Sequence, residues 1–387
     1  MKESGDKKAA GYSREAVLAS CFVLLIALFG VTAFVTRTYH KRIHTLADEW
    51  YASGEQALAA DRAEEAVTDF RNALVYSPNN SIFQFHLAQA LIAARSWDDA
   101  EEYLQSLLSD APGSGEINLA LARIAAQKNS LADAMRYYHS AVFGSWEQNP
   151  IEMRWNTRYE LCKYLLERND EKDAEAEVIA LADNTAPGDV ERLDQAGNLL
   201  LKTQQWNRAL MEFKQALARN RRDVDGLTGA GTAAFQAGQY ADADAFFERL
   251  PKGQREKADI AFMLELSRQT ETADPFAEGL SARERARRAA AALRTAEARA
   301  ATCSQSLGQA IGATPAKTDL QKTFAEAEGK KREWSESELA MHSEEIEAAM
   351  AAAFQLESLS AERCGEPKDA ADMTLRLIAR GRSSAGQ

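Results

Sequence analysis

The sequence predicts an all-α chain in three parts: an N-terminal transmembrane helix, an α-solenoid and a small C-terminal helical bundle. Three observations carry that prediction. Residues 16–36 hold no charge. A pattern of small and large apolar residues recurs every 34 positions over 47–257. Only 8 prolines and 21 glycines interrupt 387 residues rich in Ala, Leu, Glu and Arg, which are good helix formers.

Charge narrows the function. The formal charge is -12. Residues 1–46 carry seven basic and three acidic side chains, about +4, so the remainder is near -16. Nucleic acids and anionic surfaces demand clustered Lys and Arg, so no nucleic-acid partner is expected. Five scattered His and four Cys offer little for a metal site. No cofactor, metal or catalytic residue is expected, and the chain reads as no enzyme.

Residues 1–15 read as a short cytoplasmic tail. From Ala16 to Thr36, 21 residues at about 1.5 Å rise span roughly 31 Å, the thickness of a bilayer core. A cleaved signal peptide has an apolar stretch of about 7–15 residues and a small-x-small site. This stretch is longer, and Arg37, Lys41 and Arg42 follow it directly, so an uncleaved anchor in the lipid bilayer is expected. Leu18-Ala19-Ser20-Cys21 imitates a lipobox, but most of the apolar stretch lies after the cysteine. Four basic residues before the helix (Lys2, Lys7, Lys8, Arg14) face three after it, which leaves orientation almost a tie. Residues 37–46 read as a juxtamembrane linker helix that can run straight into the first repeat.

Over Ala47–Asn80, Trp50, Gly54, Ala66, Phe70, Ala73 and Pro78 stand at repeat positions 4, 8, 20, 24, 27 and 32. A shift of 34 gives Leu87, Ala88, Ala100, Leu104, Leu107 and Pro112. A second shift gives Leu121, Ala122, Ala134, Tyr138 and Ala141. Six extra residues around 145–150 interrupt the frame before Trp155, Leu161, Cys162, Ala174, Val178 and Leu181 resume it. The fifth and sixth units follow from Val190 and Val224, with Gly197, Ala209, Phe213 and then Gly231, Ala243, Phe247. Position 8 is always small and position 20 is always Ala, as two closely approaching helices require; position 24 is large and fills the space between them.

This pattern resembles the tetratricopeptide repeat, a helix-turn-helix unit. The resemblance covers 47–257 as six units and implies a right-handed superhelix with a concave groove lined by first helices. It implies that positions 2, 5, 9, 12 and 13 face the groove. Aromatic anchors Tyr51, Phe85, Tyr159 and Phe235 and polar readers Arg123, Lys163 and Asn198 are expected there, with Glu55 and Asp194 among the others. The alternatives are packing of these residues on neighbouring helices and filling of the groove by the chain's own C-terminal part. A clamp for a terminal carboxylate is not expected, because Tyr51 and Glu55 replace the Lys and Asn it needs.

Lys257–Arg268 reads as a further first helix that caps the solenoid, within a capping and linker segment at 258–275. Residues 276–387 read as a helical domain: a helix from Ser281 to about Ser304, a short one near Thr318–Lys331, a long one from Ser335 to about Glu362 and a last one at about 368–378. Arg283, Arg285, Arg287, Arg288, Arg294 and Arg299 on the first and Glu336, Glu338, Glu344, Glu345 and Glu347 on the third either pair with each other or form two solvated faces. Cys21 lies in the membrane helix and Cys162 at a crowded repeat position. Cys303 and Cys364 remain, and they meet if the two long helices are parallel. A disulfide there requires an oxidising compartment and would place the C-terminal domain outside the cytoplasm; two free structural thiols are the alternative.

Gly226-Leu227-Thr228-Gly229-Ala230-Gly231 imitates a phosphate loop, but it lacks the strand, the glycine order and the Walker lysine, so its glycines are packing residues. His40 and His44 stand one helical turn apart past the membrane as interfacial polar residues. The resemblance extends to bacterial single-pass membrane proteins of the repeat family. It implies a non-enzymatic scaffold or accessory subunit of an envelope membrane complex, with membrane-complex subunits as its protein partners, or a periplasmic chaperone that holds client peptides.

Overall fold

A computed structural model describes residues 14–313, 315–367 and 369–385. Most of the expected tail, residues 1–13, lies outside the described residues. The chain divides into two compact units that meet within one helix, the first ending at Tyr164 and the second beginning at Leu165. The described residues are almost entirely helical, with no strand among them.

The first unit opens with α1, Arg14–Ala59, a single helix of 46 residues. At about 1.5 Å per residue it is roughly 69 Å long. The apolar stretch and the first helix of the first repeat are therefore one rod, with no hinge at 37–46. Leu18, Phe22, Leu25, Phe29 and Phe34 are all more than half exposed, whereas Ala47, Gly54 and Ala57 near the other end are buried. The helices α2 (Ala63–Tyr76), α3 (Ser81–Ala93), α4 (Trp97–Asp110), α5 (Gly115–Gln127) and α6 (Leu131–Phe143) follow, and α7 (Pro150–Glu167) runs into the second unit.

The second unit continues with α8 (Glu171–Asp183), α9 (Val190–Lys202), α10 (Trp206–Arg219), α11 (Val224–Gln236) and α12 (Tyr240–Glu248). A four-residue helix, α13 (Lys252–Arg255), leads to α14 (Ala258–Ala273). This helix lies against α12, and Arg268 pairs with Asp244 at 2.8 Å, so α14 covers the end of the sixth repeat. Then come α15 (Ala282–Ser306), α16 (Asp319–Gly329), α17 (Glu336–Met341), α18 (Ile346–Cys364) and α19 (Ala370–Ala385).

The helix ends explain the repeat. In all six units the residue at position 15 has positive φ: Asp61, Arg95, Asn129, Asn169, Gln204 and Gly238. The next amide donates back to the carbonyl five residues earlier, as Arg62 to Ala57 and Ser96 to Leu91 at 2.9 Å and Gln239 to Ala234 at 2.8 Å. This is the Schellman ending, which satisfies carbonyls that the helix leaves free. First helices then start on side-chain caps at the end of the preceding unit: Asn80, Ser114, Asp189 and Asp223 each accept a backbone N–H. Only Gly238 among the six turn residues is free of the left-handed penalty. Arg95→Gly is expected to stabilise the first unit by about 0.5–1 kcal/mol, read as a raised denaturant midpoint with an unchanged slope.

Packing within a repeat depends on volume complementarity. A Cβ added at Gly54 or at Gly197 would stand 2.7 Å from the ring of Phe70 or Phe213, and one at Gly231 would collide with Phe247. Each of these rings is fully buried. Where position 8 carries Ala88, position 24 is the smaller Leu104, although Ala122 in the third unit stands with the large Tyr138. The small residue thus makes room for the position-24 side chain as well as for close approach of the helices. Gly54→Ala is expected to cost about 2 kcal/mol by overpacking against Phe70, and Phe70→Leu in the same chain should restore part of that loss in chemical unfolding.

The extra residues after α6 are structured. Gly115 N donates to Ser145 O and Ser145 N to Gly113 O, both at 2.8 Å. Trp146 is buried under Gly115 and its indole N–H donates to the Ala141 carbonyl at 3.0 Å. The insertion is a strap pinned to the start of the third repeat.

The C-terminal helices differ from expectation in two ways. The long helix expected over Ser335–Glu362 breaks at His342, whose ψ of 70° is not helical, and a short 3-10 turn at Ser343–Glu345 precedes α18. The break lets both Leu339 and Ile346 reach the core, while the Trp334 indole donates to Glu345 at 3.2 Å. The Arg side chains also do not form one wall against the acidic helix. Arg287 and Arg288 bind Glu284 on their own helix, and Arg288 also donates to the carbonyls of Glu271 and Asp274. Arg299 reaches inward to Glu357 at 2.9 Å and Asp372 at 3.4 Å. Contacts from Arg299 to Glu357 and from Cys303 to Ser360 advance together along both chains, so α15 and α18 run parallel. At their shared end Cys303 and Cys364 are disulfide-bonded, with Cα atoms 5.8 Å apart.

Candidate protein-binding groove

The first unit gathers several of the residues expected in a groove, and most have partners within the chain. Tyr51 on α1 stacks on Phe83 of α3 at 4.7 Å between ring centres. Its hydroxyl meets His86 Nε2 at 3.2 Å, and His86 Nδ1 lies 2.5 Å from Glu55 Oε1. Burial raises the Tyr51 hydroxyl above its usual pKa, and the Glu55 charge adds to that. Phe85 sits beside this chain, edge-on to His86 at 6.1 Å, and remains partly exposed.

Further along the unit, Arg123 of α5 binds Glu160 of α7 through two bonds, at 2.9 and 2.7 Å. The Tyr138 hydroxyl donates to the same carboxylate at 2.9 Å. Burial acts to raise Glu160, but the Arg123 guanidinium outweighs it and holds the carboxyl below its ordinary value. Burial also pushes the Tyr138 hydroxyl up, helped by the Glu160 charge. A bidentate pair of this kind is well oriented. Arg123 is therefore tied to its own chain in this structure. Tyr159 stacks on Trp155 at 5.3 Å, and the Lys163 ammonium lies 4.8 Å from the Tyr159 ring. Lys163 itself is exposed.

The second unit holds the other two expected groove residues, and they differ sharply. Asn198 on α9 is exposed. Phe235 on α11 is only 7% exposed and lies edge-on to Tyr240 at 5.6 Å. Phe235 is thus a core residue and not an exposed anchor. Gly and Ala crowd α11, and such small neighbours let the ring sink into the helix pair. The Tyr240 hydroxyl donates to the Leu377 carbonyl of α19 at 3.0 Å, and Arg380 reaches Gln236 at 3.5 Å. The chain's own last helix therefore lies on the sixth repeat. Asp194 is also buried, and desolvation with the neighbouring Asp223 carboxylate pushes it up to about 8. It is no free polar reader.

Sequence reasoning missed His86, Glu160 and Tyr240. His86 holds position 6 of its unit, outside the five positions assigned to the groove. Glu160 follows Tyr159 directly and likewise holds position 6 of its unit. No group of three His, Cys, Asp or Glu side chains that could hold a metal occurs among the described residues. His40 and His44 are both exposed on α1.

Two family models described as tetratricopeptide repeat match the chain, one over 57–112 and the other over 87–150 and 195–258. Their matched segments coincide with the helix pairs, Schellman turns and small–large packing described above. The chain carries tetratricopeptide repeats. Such repeats mediate protein–protein interaction and are generally non-catalytic. Among solved structures, PilW, a widely conserved type IV pilus biogenesis factor, is 17% identical with a TM-score of 0.39, over 56% of this chain and 98% of that one. The MamA protein is 16% identical with a TM-score of 0.36, over 46% of this chain and 93% of that one. YrrB, a TPR protein with an unusual peptide-binding site, is 14% identical with a TM-score of 0.32, over 46% and 89%. No curated protein matches the chain.

Proposed function

We propose that this tetratricopeptide-repeat protein is a membrane-anchored scaffold or accessory subunit of a bacterial envelope complex. One observation carries the reading: α1 is a single helix that joins a wholly exposed apolar stretch to the first repeat. Apolar side chains exposed in such number are stable only when lipid or protein covers them. The rigid continuation would hold the first unit at a set height above the bilayer, about 15 Å for the ten residues 37–46. A subunit that arranges partners benefits from that fixed geometry; a freely tethered one would not provide it. The Cys303–Cys364 bond supports an oxidising compartment, and hence repeats on the periplasmic side of the inner membrane.

A second reading is a periplasmic chaperone or assembly factor that holds client segments. Phe85 favours it, being partly exposed beside the polar chain of Tyr51, His86 and Glu55. Photo-crosslinking from position 85 and from exposed Asn198 in native membranes separates the two. A scaffold gives the same stoichiometric partner bands at every growth stage and stays in the pellet after an alkaline wash. A chaperone gives many faint bands, and release of the protein by the wash would mean that α1 is no membrane anchor.

A further inference from the structure

The face made by second helices of the second unit carries a site of different character from the groove. Leu217 of α10 and Phe246 of α12, both buried, form the floor of an open cavity of about 680 Å³. Four cations surround it: Lys214, Arg221, Arg222 and Arg249. Two of them are held in place. Arg249 donates to the Arg221 carbonyl at 2.9 Å, with its guanidinium carbon 5.7 Å from the Phe246 ring centre. The Lys214 ammonium lies 5.8 Å from the same ring and pairs with Asp242 at 2.9 Å. Among the described residues, neither the Arg221 nor the Arg222 guanidinium has an acidic partner. Four cations line this one cavity in a chain whose formal charge is -12.

We infer that this cavity binds an acidic segment of a partner protein, with an apolar side chain on Phe246 and Leu217 and flanking carboxylates on Arg221 and Arg222. Like charges gathered in one place repel, and an anionic ligand relieves that repulsion. Planar guanidinium groups bind carboxylates through two parallel bonds. The recessed apolar floor selects the ligand class. A planar layer of lipid headgroups would meet the exposed cations but leave the floor empty, whereas a peptide side chain fills it. The site goes beyond the scaffold reading, because it is lined from α10, α12 and the turn after α10, and none of the residues expected in the groove lines it.

The test uses the full chain in mild detergent and a fluorescein-labelled peptide, Asp-Glu-Leu-Phe-Glu-Asp, followed by fluorescence anisotropy. Saturable binding is expected, weakening as salt is raised. Arg221→Gln/Arg222→Gln, at exposed positions that leave the thermal unfolding curve unchanged, is expected to weaken binding roughly tenfold or more. A peptide with Gly-Gly in place of Leu-Phe is expected to lose a similar factor. Equal affinity of wild type and double variant, or no binding, overturns the inference. Equal affinity for the Gly-Gly peptide also overturns it and leaves a general anion site. Displacement by glycerol 1-phosphate but not by unlabelled peptide overturns it in favour of lipid headgroups.

Discussion

Replacing both Cys303 and Cys364 by Ser is expected to lower the thermal midpoint of the second unit by about 10 °C in scanning calorimetry. The bond links positions 61 apart. In the chain-entropy picture, closing a loop of that length restricts the unfolded chain enough to contribute about 4 kcal/mol. For a unit of this size each kcal/mol moves the midpoint by about 2–4 °C. The effect should fall on the second unit alone, since both cysteines belong to it. A reducing agent should reproduce it in the wild-type protein and leave the double variant unaffected. An unchanged midpoint would mean that the parallel packing of α15 and α18 holds without the bond.

Arg299→Ala is the second change with a large expected effect, and it depends on pH. Arg299 and Glu357 are both nearly inaccessible, with side-chain exposures of 12% and 2%. Burial pushes the Glu357 carboxyl up to about 7, although Arg299 pulls it down. In wild type, a folded pKa above the unfolded one, about 4.3, means that the folded state holds the proton more tightly. Stability from this group is fully present below about 4.3 and is lost as pH rises through 7. Removing Arg299 leaves an unpaired buried carboxylate at pH 8, at a cost of about 3 kcal/mol. At pH 5 Glu357 is protonated in the fold, so the cost should be clearly smaller. Urea titrations of both proteins at the two pH values measure the difference. A cost independent of pH would show that Arg299 acts through packing, the Gly365 carbonyl and Asp372 and not through the Glu357 charge.

How much was legible depended on whether a feature repeats. Gly54 with Phe70 and Gly231 with Phe247 recur at fixed spacing, so the sequence exposes the inner packing of the helix pairs. The turn at position 15 also recurs, but as backbone geometry. Asp61, Arg95 and Gln204 share no chemistry, and only Gly238 and, more weakly, Asn129 and Asn169 signal a positive φ. Side chains that act once were harder to read. The inward turn of Arg299 to Glu357 looks, in sequence, like one more arginine on a charged helix. The break at His342 has no proline or glycine to announce it. Phe235 matches an exposed register position, yet the glycines and alanines around it and the arrival of α19 bury it. The Arg123–Glu160 pair joins two units of the repeat, and periodicity within one unit cannot show it.

We propose that a single-pass membrane helix carries repeats which organise partners outside the cytoplasm. Thiol labelling of native membranes tests it most directly, with mass spectrometry of the labelled protein and of the proteins that co-purify in mild detergent. Cys303 and Cys364 are expected to resist labelling until reduced, buried Cys162 to be labelled only after unfolding, and the same partners to recur in fixed proportion. Free thiols at both Cys303 and Cys364, or recovery of the protein in the soluble fraction without constant partners, would contradict it.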